Sequence, residues 1–196
     1  MKKVLISIFL VFIISIKASF ALIEVDITRG NLNPLPVAVS PLSIDEDSRK
    51  NFEKILDIKN VGSEISEIVE NNLKTSGLFN PLDKNAFLQA PDIANLKPRF
   101  EDWNLIKAQA LITGKVTNIE DKLRVEFRLW DVLAGKEMMA LAFTTVPTNW
   151  RRVGHIITDK VYERLTGEKG YFDTRIIYVS ESGPKSERVK KLAIMD

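Results

Sequence analysis

A chain of 196 residues that is 45% hydrophobic and 28% charged can bury the core of one ordinary domain with some length to spare, and this balance excludes a disordered or low-complexity protein. The absence of Cys removes disulfides, thiolate metal centres and thiol nucleophiles, and a single His leaves little for imidazole chemistry. The formal net charge of +2 is too small to argue for a polyanionic partner.

The opening MKKVLISIFLVFIISIKASFA places Lys2 and Lys3 before an apolar run from Val4 to Ile16 and closes on the small residues Ser19 and Ala21. This pattern predicts a secretory signal peptide over residues 1–21, cut between Ala21 and Leu22, rather than a retained anchor. The run falls short of the roughly 20 residues that span a bilayer, and no later segment approaches that length, so no membrane span is expected after cleavage. No Cys follows it, so no lipid-modified N-terminus is expected. Cleavage removes Lys2, Lys3 and Lys17 but no acidic residue, so 28 basic residues become 25 against 26 acidic ones. The pI near 8.7 therefore gives no case for nucleic acid or an anionic membrane.

Residues 22–34 begin the mature chain. Ile23, Val25 and Ile27 alternate with Glu24, Asp26 and Thr28, and then Gly30, Asn31, Asn33 and Pro34 break the pattern. A short half-apolar strand on a flexible tether is the expectation, either added to another protein's sheet edge or paired at home as an edge strand. The apolar run PVAVSPL follows, bounded by Pro36 and Pro41. The charged stretch 43–57 carries Phe52, Ile55 and Leu56 at roughly helical spacing and predicts a weak helix. From Asn60 a stronger one is predicted, with Val61, Ile65, Ile68, Val69 and Leu73 in its stripe and Gly77 as a left-handed stop.

Residues 78–103 read as a short strand up to Pro81, a possible helical turn and a Pro-punctuated loop. Three strands are expected at about 109–118, 122–131 and 137–146, joined by short turns around Glu120-Asp121 and Ala134-Gly135 into an antiparallel meander. In the middle one Leu123, Val125, Phe127 and Leu129 take one face and Arg124, Glu126 and Arg128 the other. A second long helix follows a cap at Thr148 or Asn149, with Trp150, Val153, Ile157, Val161 and Leu165 as its stripe and Gly167 as its end. Residues 174–196 predict a terminal hairpin whose strand IIYVSE, without neighbours, is an aggregation hazard. The fold class is α/β (α+β), with two long helices on one face of a mixed sheet of about five strands.

Few residues invite chemistry. His155 and Asp159 lie one helical turn apart, the spacing of a base and its orienting carboxylate, but no nucleophile or elbow motif accompanies them, so a packed or solvated helix residue is the better reading. The acidic DEDS at 45–48 lacks the Gly and closing Glu of a calcium hand, so no metal is expected. LITGKVTN and LTGEKGY lack the glycine spacing of a phosphate loop. The basic clusters Arg151-Arg152 and Arg188 to Lys191 are short and without interleaved aromatics, which argues against nucleic acid. No catalytic residue and no cofactor are expected, and what remains is surface.

Three runs carry a family resemblance. VDITRGNLNPLPVAVSP at 25–41, LKTSGLFNPLD at 73–83 and VYERLTGEKGYFDTRIIYVSESG at 161–183 resemble, in that order along the chain, the TolB proteins of the Tol-Pal system. The similarity spans the mature chain, and the charged stretch 43–57 departs from it by being longer than the family's usual segment there. The resemblance implies an N-terminal α/β domain similar to the anticodon-binding domain of class II synthetases, followed by a β-propeller. It implies a monomeric periplasmic adaptor, not an enzyme, that links a TolA-like inner-membrane protein to a Pal-like outer-membrane lipoprotein. Such proteins support outer-membrane integrity and its invagination at division, and bacteriocins exploit the system for entry.

In that family the first strand of the mature protein binds TolA; aligned at Gly30 it falls on Leu22, Ile23, Glu24, Val25, Asp26, Ile27, Thr28 and Arg29. The implied segments are a signal peptide at 1–21, a partner-binding strand and tether at 22–34, an α/β domain at 35–170 and the first strands of a propeller at 171–196. Pal binding belongs to the propeller and is expected only if one were present. The other expectation, of a different class, is a periplasmic domain that binds a small ligand or glycan while its first strand is locked in its own sheet.

Overall fold

The computed structural model describes residues 33–195. Strand β1 (Leu35–Val39) and the two-residue β2 (Ser43–Ile44) precede helices α1 (Glu46–Leu56) and α2 (Val61–Thr75). Then come β3 (Phe79–Pro81), a 3-10 turn at Lys84–Ala86, and two six-residue helices, α3 (Pro91–Leu96) and α4 (Phe100–Leu105). The meander β4 (Ala110–Ile119), β5 (Lys122–Asp131) and β6 (Lys136–Thr145) leads through a 3-10 turn at Pro147–Asn149 into α5 (Trp150–Thr166). A separate hairpin of β7 (Ile176–Ser182) and β8 (Val189–Met195) follows.

The main sheet has six strands, in the order β3-β1-β4-β5-β6 with β2 also paired to β4. Pairings of β1 with β3 and β4, and of β2 with β4, are parallel; β4–β5 and β5–β6 are antiparallel. The mixed sheet is thus as expected, with β2 as an extra strand that two residues could not announce. Ile119 pairs with Lys122, so Glu120 and Asp121 alone make the β4–β5 turn, both at positive φ (50° and 60°) as a type I′ turn demands.

Helices α2 and α5 cover one face. Ile65, Val69 and Leu73 from α2 and Val153, Ile157, Val161 and Leu165 from α5 bury against Val37, Val39, Ile112, Val116 and the inward row Leu123, Val125, Phe127 and Leu129. The helices approach closely at Gly154, where a Cβ would lie 2.9 Å from the Ile68 Cγ2. Asn60 caps α2 through Ser63 N–H at 3.1 Å, while Asn149 makes no side-chain cap bond at α5, which is entered instead through the 3-10 turn.

The charged stretch is a full three-turn helix. Asp45 caps α1 through Ser48 N–H at 2.8 Å, and this backbone bond holds its carboxyl below the usual carboxylate range. Phe52 reaches the main core, and the Ser48 hydroxyl accepts from Asn118 N–H at 2.8 Å, closing the end of β4. The charges face outward as Arg49–Glu46 and Arg49–Glu53 pairs.

The possible turn and Pro-punctuated loop expected within residues 78–103 are where the structure adds most. There α3 and α4 cover the opposite face of the sheet, where Ala38, Ala94, Trp103, Ala108, Leu111 and Val132 form a second buried cluster. Trp103 is 1% exposed, and its indole N–H donates to the Gln89 side chain at 3.0 Å. The sheet is therefore covered on both faces near the start of β4, which explains why residues 110–114 are buried without alternation.

Candidate functional site

The partner-binding residues read from the sequence, Leu22, Ile23, Glu24, Val25, Asp26, Ile27, Thr28 and Arg29, lie outside the described residues, as does the cleavage pair Ala21 and Leu22. Three surface features can be built from the residues that are described.

The first is the outer edge of β6. It ends the sheet, so ten residues have no strand partner on that side among the described residues. Phe143 stacks on Phe127 at 6.2 Å inside, while Leu141 is 38% exposed. Lys136 and Glu137 and a register shift at Leu129/Trp130 interrupt the start of this edge. The neighbouring outward row of β5 is charged: Glu126 meets Arg124 at 3.0 Å and Lys115 at 3.7 Å, and the Arg124 hydrogen bond lowers its carboxyl pKa.

The second feature is the junction after α5. Asp159 accepts the backbone N–H groups of Phe172 at 2.7 Å and Asp173 at 3.1 Å. Gly170 lies so close to Asp159 that a Cβ there would collide with it. Arg152 forks onto Asp173, with Nε–Oδ1 at 3.1 Å and Nη2–Oδ2 at 3.2 Å. Tyr162, Tyr171 and Phe172 form an aromatic cluster with centroids 4.5 to 5.7 Å apart, and burial raises the Tyr162 hydroxyl pKa. Asp159 thus spends its carboxylate holding the chain that leaves the helix.

The third is the hairpin. Ile176, Ile177, Tyr178, Val179, Leu192, Ile194 and Met195 are each between 44% and 74% exposed, so neither face is covered.

No arrangement for chemistry emerges among the described residues. His155 Nδ1 lies 2.9 Å from Asn72 Nδ2, which also donates to the Thr158 hydroxyl at 3.2 Å, so the ring joins α5 to α2 instead of pairing with Asp159. No group of three His, Cys, Asp or Glu suited to a metal ion occurs among the described residues. No described helix is long and apolar enough to cross a membrane. Arg188 pairs with Glu181 at 2.8 Å and Lys190 with the same carboxylate at 2.9 Å, so much of the second basic cluster is cross-strand pairing. The junction contacts were the features sequence reading missed: Asp159 offered a local signal only by its spacing from His155, and its real partners are backbone groups that periodicity does not mark.

Comparisons with known proteins agree on a family. A model described as the TolB amino-terminal domain matches residues 23–138. The Tol-Pal system protein TolB of Pelagibacter ubique is 82% identical over 188 residues, covering 96% of this chain and 42% of that protein. The crystal structure of TolB from Acinetobacter baumannii matches with a TM-score of 0.65 at 22% identity, covering 89% of this chain and 39% of that chain, which is a likeness of fold. The chain therefore spans well under half the length of these relatives.

Proposed function

This chain belongs to the TolB family, and from that premise we propose that it works in the periplasm as an adaptor of the Tol-Pal envelope system, by binding proteins and not by catalysis. The observation that carries the reading is the 82% identity to a Tol-Pal system protein across 96% of this chain. The role is to help hold the envelope layers together and to support outer-membrane invagination at division.

Binding is assigned to the strand Leu22–Arg29, which adds to an open sheet edge of a TolA-like inner-membrane partner. Ile23, Val25 and Ile27 fill pockets and Glu24, Asp26 and Thr28 stay at the rim. Three such side chains contribute about 1.5–3 kcal/mol each before ordering costs, more than rim charges do. Residues 171–196 are read as strands of the propeller-type unit, and binding of a Pal-like lipoprotein is assigned to that unit and not to the α/β body. Binding is favoured over chemistry because the polar groups most suggestive of chemistry, His155 and Asp159, are committed to joining helices and holding the junction.

The experiment is calorimetric titration of the chain from Leu22 onward into the C-terminal domain of the TolA-like partner, with and without residues 22–29. Loss of binding on deletion is expected. Undiminished affinity would overturn the assignment and direct attention to the free edge of β6.

A further inference from the structure

Beside the junction, between the start of α5 and the segment that leaves it, lies a cavity of about 130 Å³ lined in part by Thr148, Arg151, Arg152, His155, Asp173 and Arg175. Three arginines thus line one small space with a single acidic residue. Arg152 is neutralised by Asp173, whereas Arg151 and Arg175 pair with no carboxylate among the described residues. The Arg151 guanidinium lies over the Trp150 ring at 4.4 Å, which limits its rotamers.

His155 lines the same space, and its hydrogen bonds settle its neutral tautomer. Thr158 Oγ1 donates to the Gly154 carbonyl at 2.9 Å, so it accepts from Asn72 Nδ2 at 3.2 Å and fixes that atom as the amide nitrogen. The same nitrogen donates to His155 Nδ1 at 2.9 Å, which leaves the neutral ring's hydrogen on Nε2. The first turn of α5, which carries Arg151 and Arg152, has no acidic residue.

We propose that this cavity binds a phosphate-class oxyanion, free or carried on a lipid headgroup, held by Arg151 and Arg175 with Arg152 shared between the ligand and Asp173. The Asp173 carboxylate is forked on Arg152, so a guanidinium at this cavity already holds a pair of anionic oxygens in bidentate fashion. Two unpaired guanidiniums favour a ligand with more charge than one carboxylate, and the cavity's volume suits a group of phosphate size. The proposal is independent of the strand Leu22–Arg29 and of any TolA-like partner.

Ligand and Asp173 compete for Arg152, so occupancy would slacken the tie between α5 and residue 173 while the backbone bonds to Asp159 persist. The site thereby reads an anion at the point where the α/β body hands over to the hairpin.

The test is titration of the intact chain with inorganic phosphate at constant ionic strength, followed by calorimetry and by amide shifts of residues 148–155 and 173–175. Saturable binding is expected, weakened at least about tenfold in R151A/R175A and unchanged in R188A on the hairpin. Asp173→Asn is expected to tighten binding several-fold, on the order of one charge-assisted contact, an effect that misfolding cannot imitate. Matched thermal melts of R151A/R175A and the parent chain establish that the fold is kept. Co-sedimentation with phosphatidylglycerol vesicles, against phosphatidylcholine vesicles, separates the sources: arginine-dependent capture identifies a lipid headgroup, and phosphate binding without capture identifies a soluble anion. Absence of saturable binding in both arms, or equal affinity in R151A/R175A and the parent, would overturn the proposal.

Discussion

The β4–β5 pair and the β7–β8 pair are both antiparallel hairpins with apolar residues spaced along each strand, yet they end in opposite environments. In β5, Leu123, Val125, Phe127 and Leu129 are each at most 1% exposed, beneath α2 and α5. In β7 and β8, Ile177, Val179, Leu192 and Ile194 are between 58% and 74% exposed, with ladder hydrogen bonds and cross-strand pairs such as Arg188–Glu181 but no covering layer. The contrast teaches that strand pairing is decided by local pattern and turn chemistry, whereas burial is decided by what the rest of the chain places on top.

The sharpest way to break this comparison is truncation of one large side chain in each hairpin. Phe127→Ala should cost about 3–5 kcal/mol of unfolding free energy in urea titration, because the removed ring leaves a cavity against Phe143. Ile177→Ala or Leu192→Ala should cost less than about 0.5 kcal/mol by the same titration, since neither leaves a cavity. Comparable losses in the two hairpins would mean that the second one has a cover after all. In the same spirit, a chain ending at Arg175 should melt at the same temperature as the full chain and stay soluble at higher concentration.

The junction between the two regions gives an intermediate effect. Asp159→Ala strands the backbone N–H groups of Phe172 and Asp173 and should cost about 1–3 kcal/mol, with faster amide exchange confined to 170–175. Asp159→Asn keeps one acceptor oxygen and should cost less.

Much of this body is legible in its residues. The stripe Val61, Ile65, Val69, Leu73 and the stripe Val153, Ile157, Val161, Leu165 announce α2 and α5 because a 3.6-residue period survives wherever one helix face meets a core. The meander is equally plain, through the alternation of β5 and the two-residue turn at Glu120-Asp121. The second covered face was hidden, because α3 and α4 have six residues each and are too short to show a period. Trp103 is buried there by Gln89 and Phe87, partners set by tertiary contact. The oxyanion cavity was illegible for a similar reason: Arg151 and Arg152 read as a bare dibasic pair until Asp173 and Arg175 are folded back against them. The alternating pattern at residues 22–29 is legible in the sequence and lies outside the described residues.

A smaller effect tests the charged outer row of the covered sheet. Glu126 has its folded-state pKa lowered, chiefly by Arg124, so its contribution is present above the ordinary carboxylate value of about 4.3 and is lost as pH falls through the lowered folded value. Glu126→Gln should therefore lower stability by about 0.2–1 kcal/mol at neutral pH, and the difference from the parent should vanish as the pH drops below that value. Thermal melts across pH check it; a gap that widens toward acid would contradict the sign.

The smallest expected change is in the β4–β5 turn, where Asp121 holds a φ of 60° without being glycine. Asp121→Gly should raise stability by about 0.5 kcal/mol, read as a small increase in urea midpoint with unchanged slope.

The central proposal is that the α/β body is covered by its own helices while the hairpin is not, and that residues 22–29 serve a TolA-like protein. Hydrogen exchange followed by mass spectrometry, on the chain from Leu22 onward with and without the C-terminal domain of that partner, tests it most directly. The account predicts strong protection of 110–131 and 153–165 in both samples, fast exchange of 176–195 in both, and new protection at 22–29 only when the partner is present. Equal protection of the hairpin and the body, or no change at 22–29 under saturating partner, would contradict it.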